Sequence, residues 1–431
     1  MSTLSQRLKR LRDSGKAPQS KTGPTGSTQQ DIHNENPSLE SSPPKGSAVP
    51  QGTGPSSPRV SASRLRRFAP SVSKEKKKTD GQRPPGEGWR EIAPCVWERS
   101  LEYHHVWRSP HSLRFLLPSD CSEMNLRFYD LETTGLSGGA GNIAFLIGLG
   151  WWTPQGLQVI QLFLADYPGE PQLLERYQEL VDGEDAIQVS FNGKSFDSHV
   201  LQARFLLNRM VPFSRRELDL LHPSRRLWKE VLPRTDLQTL EREVLGVHRK
   251  DDLPGSEAPE AWFTWLKGED GPLEEVFRHN AQDIVSLALL LTHLQEWGCF
   301  MPSDDGLEPQ GMAPSSFGMA RQWQMVDEQW MRSWLEWGWK RGERRCGQEL
   351  GFFLKRQGQR QEAQQIWKEI LATGLNFVAA VELAKDYEHR ERNIPRAIEA
   401  LEGLEMLPLS PSHRQALRYR QARLLGKLEK E

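Results

Sequence analysis

The chain reads as an α/β protein, a mixed five-stranded sheet flanked by helices, followed by an all-α region. Three observations predict this. Short apolar runs come first as a meander, beginning at residues 126–130. Segments with helical spacing then alternate with the later strands, the pattern of a mixed sheet covered by helices. Beyond residue 300 strand signals cease and helical spacing continues to the end.

The elements follow in order. LRFYD (126–130) is a strand, and IAFLIGLGWW (143–152) and LQVIQLFLA (157–165) are two more, joined by a Thr-Pro-Gln-Gly turn of hairpin composition. PQLLERYQELV (171–181) has helical spacing, with Pro171 suited to a first turn. IQVSFN (187–192) is a fourth strand, 195–210 a helix, and ELDLLH (217–222) a fifth strand. Thr235 or Asp236 caps a helix running towards Gly246, and Pro272 opens a long amphipathic helix over 272–297. The expected organisation is a basic leader (1–88), an α/β domain (89–300), a linker (301–318) and a helical domain (319–431).

Charge is unevenly spread. The leader carries 16 Lys/Arg against 7 Asp/Glu, so the remainder of a chain with net charge −1 sums to −10. An acidic body argues against a protein coated in positive charge for duplex binding, though a local basic stripe remains compatible. The leader is rich in Pro, Gly, Ser, Gln and Lys and poor in apolar residues, a composition of disorder. A short basic helix is expected over its first 15 residues. Its basic runs, RLRR (64–67) and KEKKK (74–78), read either as solvated charge or as a nucleic-acid tether. Cys95, Cys121, Cys299 and Cys346 lie far apart with no CxxC pair, which fits a reducing compartment and no zinc site. No run reaches the ~20 apolar residues needed to span a bilayer. A cytoplasmic protein without a membrane partner is expected.

The chemistry is concentrated in FYDLETTGL (128–136). Asp130 and Glu132 are two apart on a strand and therefore share a face. Adjacent carboxylates repel and burial raises the cost of ionising them, so a divalent cation would relieve both problems. A lone DxE is weak, because surface strands carry such pairs. Asp197 follows the Asn-Gly turn in FNGKSFD, at the carboxyl end of a strand where α/β proteins hold ligands. It also suits a helix N-terminus on structural grounds alone. Asp283 lies inside a helix, a poor position for Asp, with His279 one turn earlier on the same face. Asp219 and Arg225 read either as groove residues or as a structural ion pair.

Together these segments resemble the DEDD superfamily of 3′–5′ exonucleases, which have a ribonuclease H-like fold. The resemblance covers roughly residues 126–297. GLSGGAGNIAFLIGLG, NGKSFD, LDLLHPSRRLW, LEREVLGV, DDLPG and HNAQDIVSLA make the chain similar to the bacterial YprB-type ribonuclease H-like proteins in particular. The resemblance implies hydrolysis of DNA or RNA with two Mg²⁺ or Mn²⁺ ions about 3.5–4 Å apart. Asp130, Glu132, Asp197 and Asp283 would be the metal ligands, with Asp130 bridging. His279 would be the proton acceptor, although its spacing of four before Asp283 is that of a Tyr-type site. Thr133, Thr134, Leu136, Asn192 and Lys194 would contact the substrate, and an ordinary turn is the plainer reading of the first three. Asn280 is only a weaker polar neighbour. A binding module without activity, or a scaffold for partners, are the alternatives.

The helical region repeats. Leu350-Gly351, Leu354 and Ala363 recur as Leu383-Ala384, Tyr387 and Ala397, and Leu417 begins a truncated third copy, at offsets of 33–34 residues. This resembles tetratricopeptide repeats and would offer a groove to a protein partner. A plain helical bundle is the alternative.

Overall fold

The computed structural model describes residues 84–106, 112–117, 126–135, 141–182, 186–211, 216–249, 253–302 and 307–429. The leader to residue 83 with its expected helix, Cys121, Leu136, both Asp residues of DDLPG, and residues 303–306 of the expected linker lie outside the described residues.

Seven strands form one sheet in the order β1-β2-β5-β4-β3-β6-β7. Five are those expected: β3 (Leu126–Thr133), β4 (Ala144–Thr153), β5 (Gly156–Leu164), β6 (Ile187–Ser190) and β7 (Arg216–Asp219). The other two, β1 (Trp89–Ala93) and β2 (Val96–Tyr103), form an antiparallel hairpin that extends the sheet along β5. β3, β4 and β5 are antiparallel neighbours, whereas β3–β6 and β6–β7 run parallel. The carboxyl ends of β3, β6 and β7 therefore lie along one edge. β7 is shorter than its sequence signal. Asp219 Oδ1 accepts the Leu221 N–H at 3.0 Å and turns the chain into a helix.

Around the sheet lie α1 (Glu170–Val181), α2 (Asp197–Leu207), α3 (Leu221–Trp228), α4 (Leu237–Leu240), α5 (Ala258–Leu266) and the long α6 (Leu273–Cys299). Asp236 caps α4 by accepting the Thr239 N–H at 3.0 Å. A π turn, Glu241–Leu245, continues α4 and ends at Gly246 in the left-handed region, φ 65°. The helical region holds α7 (Ser316–Trp323), α8 (Glu328–Lys340), α9 (Arg344–Arg356), α10 (Arg360–Ala372), α11 (Phe377–Asp386), α12 (Ile394–Glu399) and α13 (Pro411–Leu428). α11 too continues as a π turn, Tyr387–Glu391.

One apolar core runs from Leu126 and Phe128 on β3 through Ile284 and Trp297 on α6 to Trp334, Leu350, Trp367 and Leu424 in the helical region. Each fully buried side chain of this size contributes about 1.5–3 kcal/mol. Within the expected linker, Ser315 N–H donates to Leu227 O at 2.9 Å, and Met312 O accepts the Trp228 indole N–H at 3.3 Å. That segment is docked on α3. A second core joins Tyr129 and Leu131 to Leu173, Tyr177, Val200 and Phe205 of α1 and α2. Among the described residues no helix is long and apolar enough to cross a membrane.

Candidate functional site

α6 crosses β4 closely, and two glycines allow it. A Cβ on Gly148 would collide with the amide of Asn280, and one on Gly150 with the Ile284 side chain. Gly148 is the register partner of Asp130 across the β3–β4 ladder. The helix is thereby seated low enough for Asn280 to donate to Asp130 Oδ2 at 3.0 Å and to its backbone oxygen at 3.2 Å. The amide oxygen of Asn280 accepts from Gln161 Nε2 at 3.0 Å. Gln161 Oε1 in turn accepts from Arg99 Nε and Nη2 at 3.1 and 2.7 Å, and Arg99 Nη1 reaches Glu274 at 2.8 Å. This row of side chains fixes which end of the Asn280 amide faces Asp130. Asn280, judged minor from sequence, is the hydrogen-bond donor that orients the first carboxylate. Its partner is 150 residues away in the chain, and local spacing carries no trace of it.

The carboxylates come from three places. Asp130 and Glu132 project from the end of β3, Asp197 starts α2, and Asp283 lies on α6. Burial raises the proton affinity of Asp130 well above the carboxylate range, and the charges of Asp283, Glu132 and Asp197 raise it further against the opposing Asn280 hydrogen bond. Asp197 is pushed up to about 7 by burial first, then by Glu217, Asp219 and Asp283. The four expected acids are thus within electrostatic reach of one another, and Asp219 and Glu217 join them.

Asp219 was expected to serve either the groove or an ion pair with Arg225. Its Oδ1 instead accepts the N–H groups of Asn192 (2.8 Å) and Leu221. Its Oδ2 is buried without a hydrogen-bond partner. Glu217 is held by the hydroxyls of Tyr129 (2.6 Å), Ser190 (3.0 Å) and Ser198 (2.7 Å).

Arg249, which sequence reading passed over, binds the other side of the cluster. Its guanidinium donates to both oxygens of buried Glu241 at 2.6 Å, to Asp283 Oδ1, and to His279 Nδ1 at 3.2 Å. The side chain is only 9% exposed. Because a guanidinium can only donate, His279 Nδ1 is the acceptor and its proton sits on Nε2, 3.5 Å from Asp283 Oδ2. Both ring nitrogens of His279 are engaged in this arrangement. Lying in a loop with partners 8 and 34 residues away, Arg249 gave no local pattern.

The remaining expected contacts are split. Thr133 Oγ1 donates to Gly135 O at 2.9 Å, Thr134 Oγ1 accepts the Ile143 N–H at 3.0 Å, and Asn142 Nδ2 also reaches Gly135 O at 2.8 Å. Both threonine hydroxyls therefore build the turn after β3. Asn192 adopts the left-handed conformation, φ 66°, and with Lys194 is exposed beside the cluster. Leu136 lies outside the described residues.

For a divalent cation the donor chemistry fits. The groups are hard carboxylate oxygens, which suit Mg²⁺ or Mn²⁺ and not zinc, and one buried oxygen lacks a partner. The rotamers are not those of a loaded site. Among the described residues no three His, Cys, Asp or Glu groups stand as a ready-made ion cage, with Asp283 turned to Arg249 and Asp130 to Asn280.

Residues 127–295 match the model of the RNase_H superfamily. Over 333 residues the chain is 29% identical to the uncharacterized protein YprB of Bacillus subtilis (strain 168), covering 75% of this chain and 79% of that protein. Among solved structures, the family B DNA polymerase of the archaeon Pyrobaculum calidifontis aligns at 13% identity and a TM-score of 0.32, over 57% of this chain and 33% of the polymerase. A product-bound exonuclease I aligns at 12% and 0.25, over 69% and 90%. At such scores neither structure defines this fold. The sheet, its covering helices and the matched segment agree: residues 127–295 are a ribonuclease H-like superfamily domain, in a chain similar to YprB over most of its length.

Proposed function

We propose that the chain is a divalent-metal-dependent nuclease that hydrolyses phosphodiester bonds of DNA or RNA, working exonucleolytically from a 3′ end. One observation carries the reading. Four carboxylates from β3, α2 and α6 lie close enough that burial and mutual repulsion raise the proton affinity of Asp130 and Asp197. A protein that needs no cation has no use for such an arrangement, whereas two divalent ions would discharge it.

Asp130, Glu132, Asp197 and Asp283 would hold the ions. Bound there, the metal pair would supply an activated water and stabilise the leaving oxygen. The chain's own residues do the rest. Asn280 keeps Asp130 in one rotamer through its row of amides. Arg249 pairs Asp283 and covers His279 Nδ1, and both groups would be available only with Arg249 turned away. With Nδ1 free, His279 has a lone pair with which to take a proton from water. The Thr133–Gly135 turn shapes the wall beside Asp130, and the exposed Asn192 and Lys194 would contact the terminal nucleotide.

The test is cleavage of 3′- and 5′-labelled single strands, duplexes and hairpins with Mg²⁺ and Mn²⁺. Asp130→Asn is expected to lower the rate about 10²–10³-fold, the scale of one lost electrostatic stabiliser, with an unchanged circular dichroism spectrum. Equal cleavage by wild type and Asp130→Asn would sink the assignment. Arg249 occupying Asp283 favours a second reading, a module that binds without cutting. Metal-independent binding with no cleavage of any substrate would select it.

A further inference from the structure

The helical region carries a groove of about 570 Å³ far from the carboxylate cluster in sequence. Its walls are Lys355 of α9, Lys385 of α11, Arg390 of the second π turn, and Tyr419, Arg420 and Arg423 of α13. The charge there is organised around too few acids. Glu382 takes both Lys355 and Lys385, and Asp386 takes Arg390 at 3.3 Å. Buried Glu388 alone faces Arg423 at 2.5 Å, Lys427 at 2.7 Å and Arg420 at 3.7 Å. Six permanent cations thus meet three carboxylates. α13 as a whole has five Lys/Arg and no Asp or Glu, within a folded body that sums to −10. Like charges gathered against the trend of the molecule cost energy unless a ligand discharges them.

We infer that this groove binds single-stranded nucleic acid. Three of its cations are arginines, whose planar forks match phosphate oxygens bidentately. Tyr419 stands at the wall 72% exposed. A phenol ring beside a phosphate track is a stacking platform for an unpaired base, and a duplex would hide the face it needs. Acidic peptides would satisfy the charge but leave the ring without a role. The choice of ligand rests on the nuclease reading. The groove would hold the strand while its end lies at the carboxylates.

The experiment uses the full chain in EDTA, so that nothing is cut, with 5′-fluorescein 20-mers of DNA and RNA followed by anisotropy between 50 and 300 mM KCl. Arg390→Gln/Arg420→Gln leaves Arg423 and Lys427 to pair Glu388. It is expected to weaken binding at least ~10-fold at 100 mM salt and to flatten the slope of log K against log salt by about 1.4. Tyr419→Ala, at an exposed position, is expected to weaken it about 5-fold or more, and it decides the matter if the double variant does not fold. Unchanged affinity and slope would overturn the inference. So would a fluorescent poly-glutamate peptide that depends on the groove while the oligonucleotides do not, which would assign the surface to an acidic protein. Wild-type cleavage is scored separately. Cleavage with groove-independent binding rejects the groove and leaves the nuclease reading intact. Groove-dependent binding without cleavage does the reverse.

Discussion

The carboxylate cluster and the basic groove are built alike and charged oppositely. Each is organised at a π turn that presents a buried glutamate, Glu241 in one and Glu388 in the other. Each turn ends on a left-handed residue, Gly246 or Arg392. A buried carboxylate must be paired, and both are, by arginine. The difference is in the surplus. At Glu241 a single guanidinium serves Glu241 and Asp283 as well, while the charges of Asp283, Glu132 and Asp197 still add to burial in raising the proton affinity of Asp130. At Glu388 three cations serve one acid. The pairing is what folding requires, and the sign of the remainder determines what each place can attract.

The largest test of that contrast is to remove the guanidinium that pairs the acids. Arg249→Gln leaves buried Glu241 and Asp283 without their countercharge, and breaking a buried pair costs about 3–5 kcal/mol. A markedly lower melting temperature is expected without metal, together with tighter Mn²⁺ binding because Asp283 no longer has to exchange partners. Calorimetric titration that finds the same Mn²⁺ affinity would mean that Arg249 does not compete for the site.

Asn280 is the next lever. Asn280→Ala removes the donor to Asp130, and Gly148→Ala displaces the same amide from the opposite side. Each is expected to cost 10–100-fold in Mn²⁺ affinity, the usual scale for a group that orients a ligand. Because both act through one side chain, the double variant should be little worse than either alone. Full additivity in the cycle would separate the glycine from the amide.

The mildest effect is that of pH. Asp197, at about 7 when folded, and Asp130, raised well above its ordinary value, bind protons in the native state that the unfolded chain releases near pH 4. Native protein then holds more protons than unfolded, so metal-free stability falls as pH rises between about 4 and 7, by at most ~1.4 kcal/mol per unit for each group. Asp197→Asn should flatten this decline and raise the melting temperature at pH 7.5. A metal-free protein that gains stability over that range would contradict the shared charge of the cluster. In the basic groove, Glu382 and Glu388 are held below their ordinary range by lysine and arginine partners against the cost of burial, so the groove should add stability as pH rises to about 5 and nothing above it.

The sequence shows the acids far better than what holds them. Asp130, Glu132, Asp197 and Asp283 each stand in a local setting that marks them: a strand pair, an Asn-Gly turn, a helix interior. Five strands are legible from apolar runs of the right length. Asn280, Gly148 and Arg249 are not, because each acts on a residue far along the chain, and nothing in the neighbouring residues requires it. β1 and β2 escape for a related reason. WREIA and VWERSLEY carry charges in mid-strand that look like surface until Arg90 meets Glu98 at 3.2 Å and Arg99 turns inward to Gln161. The repeat-like offsets in the helical region gave helices, and the small residues fit. A Cβ at Gly351 would strike the Trp367 indole.

The inward turn of Arg99 sets a limit on modularity. The ribonuclease H-like match begins at residue 127, yet the side chain that aims Gln161, and through it Asn280, belongs to the hairpin before it. A chain trimmed to the matched segment would keep every acid and lose the guanidinium behind them. Gln161 Nε2 would still donate to Phe277 O at 2.7 Å, but Gln161 Oε1 would lose both guanidinium donors and stand buried without them. The portable unit of this chemistry is the sheet with its leading hairpin, and a shorter excision would carry the ligands without their alignment.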